Sequence, residues 1–156
     1  MEKKSLKEIN LCMLNDNLYC FACCGHDYSN REEIIKAIEK NTIEFKKINN
    51  KEKFAIRTDL LRSCGICRNL TFLPDGRVGC PLHPFWNDGN DLRIKDNACE
   101  RDYLCKTFKK FLHEWDDNIK QKFIDFILAK KIDWFEYSIK MDNDSFLKEF
   151  ELELNK

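Results

Sequence analysis

The sequence predicts an α+β fold, predominantly α, and three observations predict it. From Leu104 onward apolar residues recur at helical spacing, which marks a C-terminal helical segment. Pro74-Asp75-Gly76 stands between Leu70-Thr71-Phe72-Leu73 and Arg77-Val78-Gly79-Cys80, a turn signal that predicts a short β-hairpin. Around that hairpin, Cys64-Gly65-Ile66-Cys67 and Cys80-Pro81-Leu82-His83 write C-x2-C-x12-C-x2-H, two ligand pairs that one tetrahedral ion can span. The expected fold is therefore a metal-stapled cysteine-rich core with a short β-hairpin and a C-terminal helical segment packed on it. Residues 1–108 are expected to form the metal-binding domain and 109–156 the helical extension.

Length and charge narrow the function classes. A chain of 156 residues can bury roughly 70% of its unfolded surface, so an apolar core is available beside any metal. Lysines and arginines number 27 and so do aspartates and glutamates, a balance that argues against a general nucleic-acid binder. The charged N-terminus is not followed by a signal-peptide pattern, and no apolar run approaches the roughly 20 residues of a membrane span. A cytoplasmic protein with no membrane partner is the expectation.

Nine cysteines are the compositional anomaly, and an odd number cannot be fully paired. In a reducing compartment, closely spaced cysteines point to metal ligation before disulfides. In chain order, Leu6, Ile9, Met13 and Leu14 suggest a short amphipathic helix over residues 5–14, with Cys12 read as a small buried apolar side chain. Cys20-Phe21-Ala22-Cys23-Cys24-Gly25-His26 then overlaps a C-x2-C turn with a C-x2-H turn, too many soft donors for packing alone. His26 reads equally as a ligand or a surface histidine.

Ser29-Asn30-Arg31-Glu32 is a capping-box pattern that opens a helix expected to end near Asn41, with a weak strand pair over Thr42 to Ile56. Asn87 to Asp91 lacks the full calcium-loop ligand set and reads as a solvated loop. Leu104, Phe108, Phe111, Leu112 and Trp115, then Ile119, Phe123, Phe126 and Ile127, form core-facing stripes, with Asn118 and Gln121 as the expected cap of the second. Ile132, Phe135 and Ile139 continue the pattern, and Phe146, Leu147, Phe150 and Leu154 mark a last helix. These terminal helices are the place where a protein partner would dock.

The candidate ligands are Cys20, Cys23, Cys24, Cys64, Cys67, Cys80, His83, Cys99 and Cys105. Two tetrahedral sites need eight donors. One partition is local, with Cys64, Cys67, Cys80 and His83 on one ion and the first cluster joined by Cys99 or Cys105 on another. The other interleaves the clusters, and spacing does not choose between them. Zn2+ suits the thiolate and imidazole set, with iron or an iron–sulfur cluster as the alternative. Arg62, Arg68 and Arg77 could neutralise a thiolate-rich ion or simply face solvent.

Cys67-x2-Leu70, Gly79-Cys80-Pro81-Leu82-His83-Pro84 and Cys105-Lys106-Thr107-Phe108 together resemble the bacterial zinc- or iron-chelating family named for its CxxCxxxCC signature. The resemblance spans about residues 20–108. It implies a small cytosolic protein in which Cys20, Cys23, Cys24, Cys67, Cys80 and Cys105 converge on metal. The chain departs from the signature, having Cys20-x2-Cys23-Cys24 and no further cysteine pair.

Catalytic signatures are thin. His113-Glu114 lacks the second histidine of a zincin helix, since Asp117 stands in its place, and the deaminase and phosphate-loop patterns are absent. The expectation is a structural-zinc binding or adaptor module rather than an enzyme. An iron or iron–sulfur redox protein, or a zinc hydrolase with an open metal position, are the alternatives.

Overall fold

The computed structural model of the chain describes residues 5–21, 23–24, 27–57, 62–93 and 103–156. Among the described residues there are six α-helices, two short 3-10 turns and one two-stranded antiparallel sheet, an α+β arrangement that is predominantly α. By contacts the chain divides into two compact units. One joins residues 1–22 to 104–156, and the other is residues 23–103. The opening segment thus groups with the C-terminal helices and not with residues 23–103. No helix among the described residues is long and apolar enough to cross a membrane.

In the 23–103 unit, helix α1 spans Arg31–Ile48. Asn30 caps it by accepting the Glu33 N–H at 3.0 Å, while the Ser29 hydroxyl donates to the Glu33 carboxylate at 2.5 Å. The helix does not end at Asn41, because that side chain faces inward. Its amide donates to the carbonyls of Cys67 at 3.0 Å and Leu70 at 2.9 Å. The strand pair expected over Thr42 to Ile56 is helical instead. Asn49, in the left-handed region at φ 48°, closes α1 through its N–H to the Phe45 carbonyl. Asn50 then caps α2 (Lys51–Ala55) by accepting the Lys53 N–H at 2.8 Å. Two adjacent asparagines thus end one helix and begin the next, a pattern that resembles a strand break in sequence.

The hairpin forms where expected. Strands β1 (Thr71–Phe72) and β2 (Val78–Gly79) pair with Thr71 opposite Gly79 and Phe72 opposite Val78. Gly76, at φ 88°, supplies the left-handed turn residue, and Arg77 pairs with Asp75 across it. Strand β1 docks on α1 through the Thr42 hydroxyl, which accepts the Phe72 N–H at 2.9 Å. Phe54, Ala55 and Leu82 form a small core with Phe45, Ile48, Cys80 and Leu92 packed against it.

The other unit holds helices α3 (Lys106–His113), α4 (Asp117–Leu128), α5 (Trp134–Asp142) and α6 (Ser145–Leu154). Most of the expected apolar stripes face inward, with Phe111, Phe123, Ile127 and Phe146 fully buried, but Leu112 and Leu154 are exposed. Helix α5 buries Tyr137, Ser138 and Met141, while Phe135 and Ile139 are only half-buried. Trp115, Phe123 and Phe150 form an aromatic triangle with ring centroids 5.1–5.3 Å apart. Asp116, not Asn118, caps α4, accepting the Ile119 N–H at 2.9 Å. The helix expected over residues 5–14 reduces to a 3-10 turn at Leu6–Glu8. Asn10 takes the Cys12 N–H at 2.9 Å, and Asn15 takes the N–H groups of Asn17 and Leu18 at 2.8 Å. These side chains offer the backbone a turn in place of a helix. Met13 then bridges Tyr19 in antiparallel fashion, and Leu11 and Leu18 enter the helical core.

Candidate metal centre

In the 23–103 unit, three separate pieces of chain bring cysteines together. The first is Cys23-Cys24, the second is the turn that ends at Cys67, and the third is the strand end at Cys80. The Cys67 N–H donates to the Cys24 carbonyl at 2.8 Å, which ties the first two pieces at the backbone. Buried Asn41, bonded to the Cys67 carbonyl, fixes that turn against α1. The third piece follows from the hairpin, whose register sets where Cys80 leaves β2.

The electrostatics reflect this gathering. The Cys24 thiol donates to the Cys23 sulfur, and this bond pushes Cys24 well above the ordinary thiol range. Burial adds to the shift, as do the nearby Cys23, Cys67 and Cys80 thiols. The same bond is the main cause that holds Cys23 down at about 7, and the positive charge of Arg93 adds to it against the effect of burial. Three thiols thus act on Cys24. The Cys67 sulfur also accepts the Asn69 N–H at 3.4 Å, the type of bond that orients a metal-ligating group.

The remaining candidates are placed differently. Cys64 is buried in the same turn, where Gly65 takes φ 95°, and its carbonyl accepts the Ser29 N–H at 3.0 Å. It is not among the leading influences on Cys24. His83 is exposed, and its Nδ1 accepts the Phe85 N–H at 3.1 Å, capping the 3-10 turn Pro84–Trp86. Partial burial, then the charge of Arg93, lowers its pKa below the usual histidine value against the pull of Asp91, which favours the neutral imidazole. The expected Cys80-Pro81-Leu82-His83 turn is present, with the His83 N–H on the Cys80 carbonyl at 3.1 Å. Cys20 and Cys105 belong to the other unit. Cys99 and His26 lie outside the described residues.

Two of the arginines singled out in the sequence, Arg62 and Arg77, are engaged elsewhere. Arg62 binds Glu44 at 2.7 Å and Asn41 at 2.9 Å, and Arg77 binds Asp75 at 2.7 Å and stacks over Trp86. Arg57 joins Glu44 as well and reaches the Arg68 carbonyl at 2.6 Å. Arg93, which no motif marked, is the cation that acts on Cys23 and His83, steadied by Asp91 at 2.8–2.9 Å. Asn41 was missed too, although its place three residues after Ile38 on the apolar face of α1 was a readable signal.

The donor chemistry fits a soft or borderline ion, since four thiols can supply four thiolate ligands. The side chains as they stand are gathered rather than converged. Among the described residues, no three histidine, cysteine, aspartate or glutamate side chains are disposed to hold an ion. Cys23, Cys24, Cys67 and Cys80 are the residues that would hold one, and the ion would cross-link three chain segments. No family model, curated protein or solved structure matches this sequence.

Proposed function

We propose that the chain is a metal-binding protein in which Cys23, Cys24, Cys67 and Cys80 ligate one zinc ion with a structural purpose, in a binding or adaptor module. The observation that carries this reading is the Cys67 N–H bond to the Cys24 carbonyl at 2.8 Å, which joins cysteine-bearing segments 43 residues apart in sequence, with Cys80 close enough to act on Cys24 as well. Clustering like groups that repel when ionised is costly in a bare fold, and a cation reverses the sign of that cost. Zinc binding releases the thiol protons to solvent and adds its binding free energy to that of folding. A helix carrying buried Asn41, a hairpin end and the Cys23-Cys24 segment would then be held at one point.

A second reading has one specific observation in its favour. The four gathered donors are all sulfur, with His83 used as a local cap, and an all-thiolate set also suits iron or an iron–sulfur cluster. Elemental analysis of protein purified without added metal separates the two. About one zinc per chain, lost in Cys24→Ser and in Cys80→Ser, is the expected result. A brown protein containing iron and inorganic sulfide would replace the zinc reading. Protein that carries neither metal and takes up none on titration would refute both.

A further inference from the structure

The opening segment is a short ribbon that sets two cysteines face to face. Met13 and Tyr19 form an isolated antiparallel bridge, and the Cys20 N–H donates to the Cys12 carbonyl at 3.0 Å. In that register Cys12 and Cys20 stand directly opposite each other, so their side chains leave the ribbon on the same face. Opposed residues of a hydrogen-bonded pair have Cα atoms about 5.5 Å apart, inside the range of about 4.4–6.8 Å that a disulfide spans. Their Cβ atoms, usually about 4.5–5.5 Å apart, must close to about 3.5–4.5 Å. A disulfide here needs only a small contraction of the ribbon, and that contraction leaves it easy to reduce.

Helix α5 holds both strands in this register. The Tyr137 hydroxyl donates to the Leu11 carbonyl at 2.5 Å, one residue before Cys12. The Ser138 hydroxyl donates to the Tyr19 carbonyl at 3.2 Å and accepts the Phe21 N–H at 3.0 Å, the two residues that flank Cys20. Tyr19 also stacks on Trp134, with ring centroids 5.9 Å apart and planes 2° from parallel. The two cysteines differ in access. Cys12, expected from the sequence to be a buried packing residue, is exposed, whereas Cys20 is half-buried against the helical core. A reagent in solution therefore meets Cys12 first, with Cys20 opposite to resolve the adduct.

We propose that Cys12 and Cys20 are a thiol–disulfide exchange pair whose reversible oxidation locks the opening ribbon. The oxidant is a low-molecular-weight disulfide of the glutathione class. The Cys12 thiolate attacks one of its sulfurs, forming a mixed disulfide and releasing one glutathione thiolate. The Cys20 thiolate then attacks the Cys12 sulfur, which closes the Cys12–Cys20 bond and releases the second glutathione. The chain loses two electrons and two protons, and the reagent is reduced to two thiols. Neither cysteine belongs to the four thiols proposed as zinc ligands, so the pair does not rest on that reading.

The test incubates the full chain in glutathione buffers of rising oxidised fraction, then quenches with an alkylating reagent. Cleavage before Asp16 and Asp27 leaves Cys12 alone on one peptide and Cys20 with Cys23 and Cys24 on the next, and fragmentation in the mass spectrometer assigns the partner. Cys12–Cys20 is expected to be the first link formed, to be lost in Cys12→Ser, and to reopen in reduced glutathione. Cys12 is exposed, so its serine variant keeps the fold. In Cys20→Ser the glutathione adduct on Cys12 should accumulate, since no opposed thiol resolves it. Wild type and Cys12→Ser carry the test should Cys20→Ser fail to fold. In the linked form the Cys20 N–H should exchange with solvent about tenfold more slowly than in the reduced chain. A first link elsewhere in the chain, or a glutathione adduct on Cys12 that persists in wild type, overturns the pair. So does a linked form whose Cys20 N–H exchanges at the reduced rate, because the bond would then not lock the ribbon.

Discussion

At the scale of single residues, buried polar groups do most of the positioning. Asn41 carries no exposed surface and makes three hydrogen bonds, two to the cysteine turn and one to Arg62. Asn41→Ala should cost about 2–3 kcal/mol in urea unfolding, because it strands two buried carbonyls. It should also weaken zinc retention, as loss of a supporting partner does. Tyr137→Phe removes the bond to the Leu11 carbonyl and should cost about 1–2 kcal/mol by the same measurement. Glu44 predicts a pH dependence. Burial works against its ionised form, but the Arg62 bond and the charges of Arg62, Arg57 and Arg68 outweigh this and hold its pKa below the ordinary 4.5. A carboxylate with a lowered folded pKa contributes stability that is complete above the unfolded value and is lost as pH falls through the folded one. Acid titration of stability should therefore be flatter below about pH 4.5 in Glu44→Gln than in wild type.

At the scale of elements, what could be read depended on how local the physics was. The four C-terminal helices follow from their apolar period, and the hairpin from Pro74-Asp75-Gly76, because both signals sit within the element they define. The opening helix failed because Asn10 and Asn15 capture nearby backbone N–H groups, and propensity alone does not show that competition. The extent of α1 failed for the opposite reason. Asn41 looks like a breaker until its distant partners Cys67 and Leu70 are known. Cap identity is testable directly. Asp116→Ala should lower stability by about 1 kcal/mol, whereas Asn118→Ala, inside α4 and exposed, should change it by less than about 0.5 kcal/mol. The reverse ranking in thermal melts would reinstate the cap expected from the sequence. For the candidate site, residue types were legible and grouping was not. Cys20 and Cys23 look like one turn in sequence, yet they fall in different compact units.

At the scale of the whole molecule, each unit has its own apolar core. Cys80→Ser should therefore speed amide exchange in α1 and the hairpin while leaving α4 and α6 at wild-type rates, as contiguous cooperative units predict. Uniform acceleration through all six helices would show that the two units open together. The chain order of the units carries one more consequence, for biosynthesis. Residues 23–103 are nested inside the other unit, so they leave the ribosome complete while helices α3 to α6 are still unmade. Leu11, Leu18 and Cys20 precede that unit but have no core to enter until helices α3 to α6 follow. The nested unit can thus close during translation, whereas residues 11–20 must wait for helices α3 to α6.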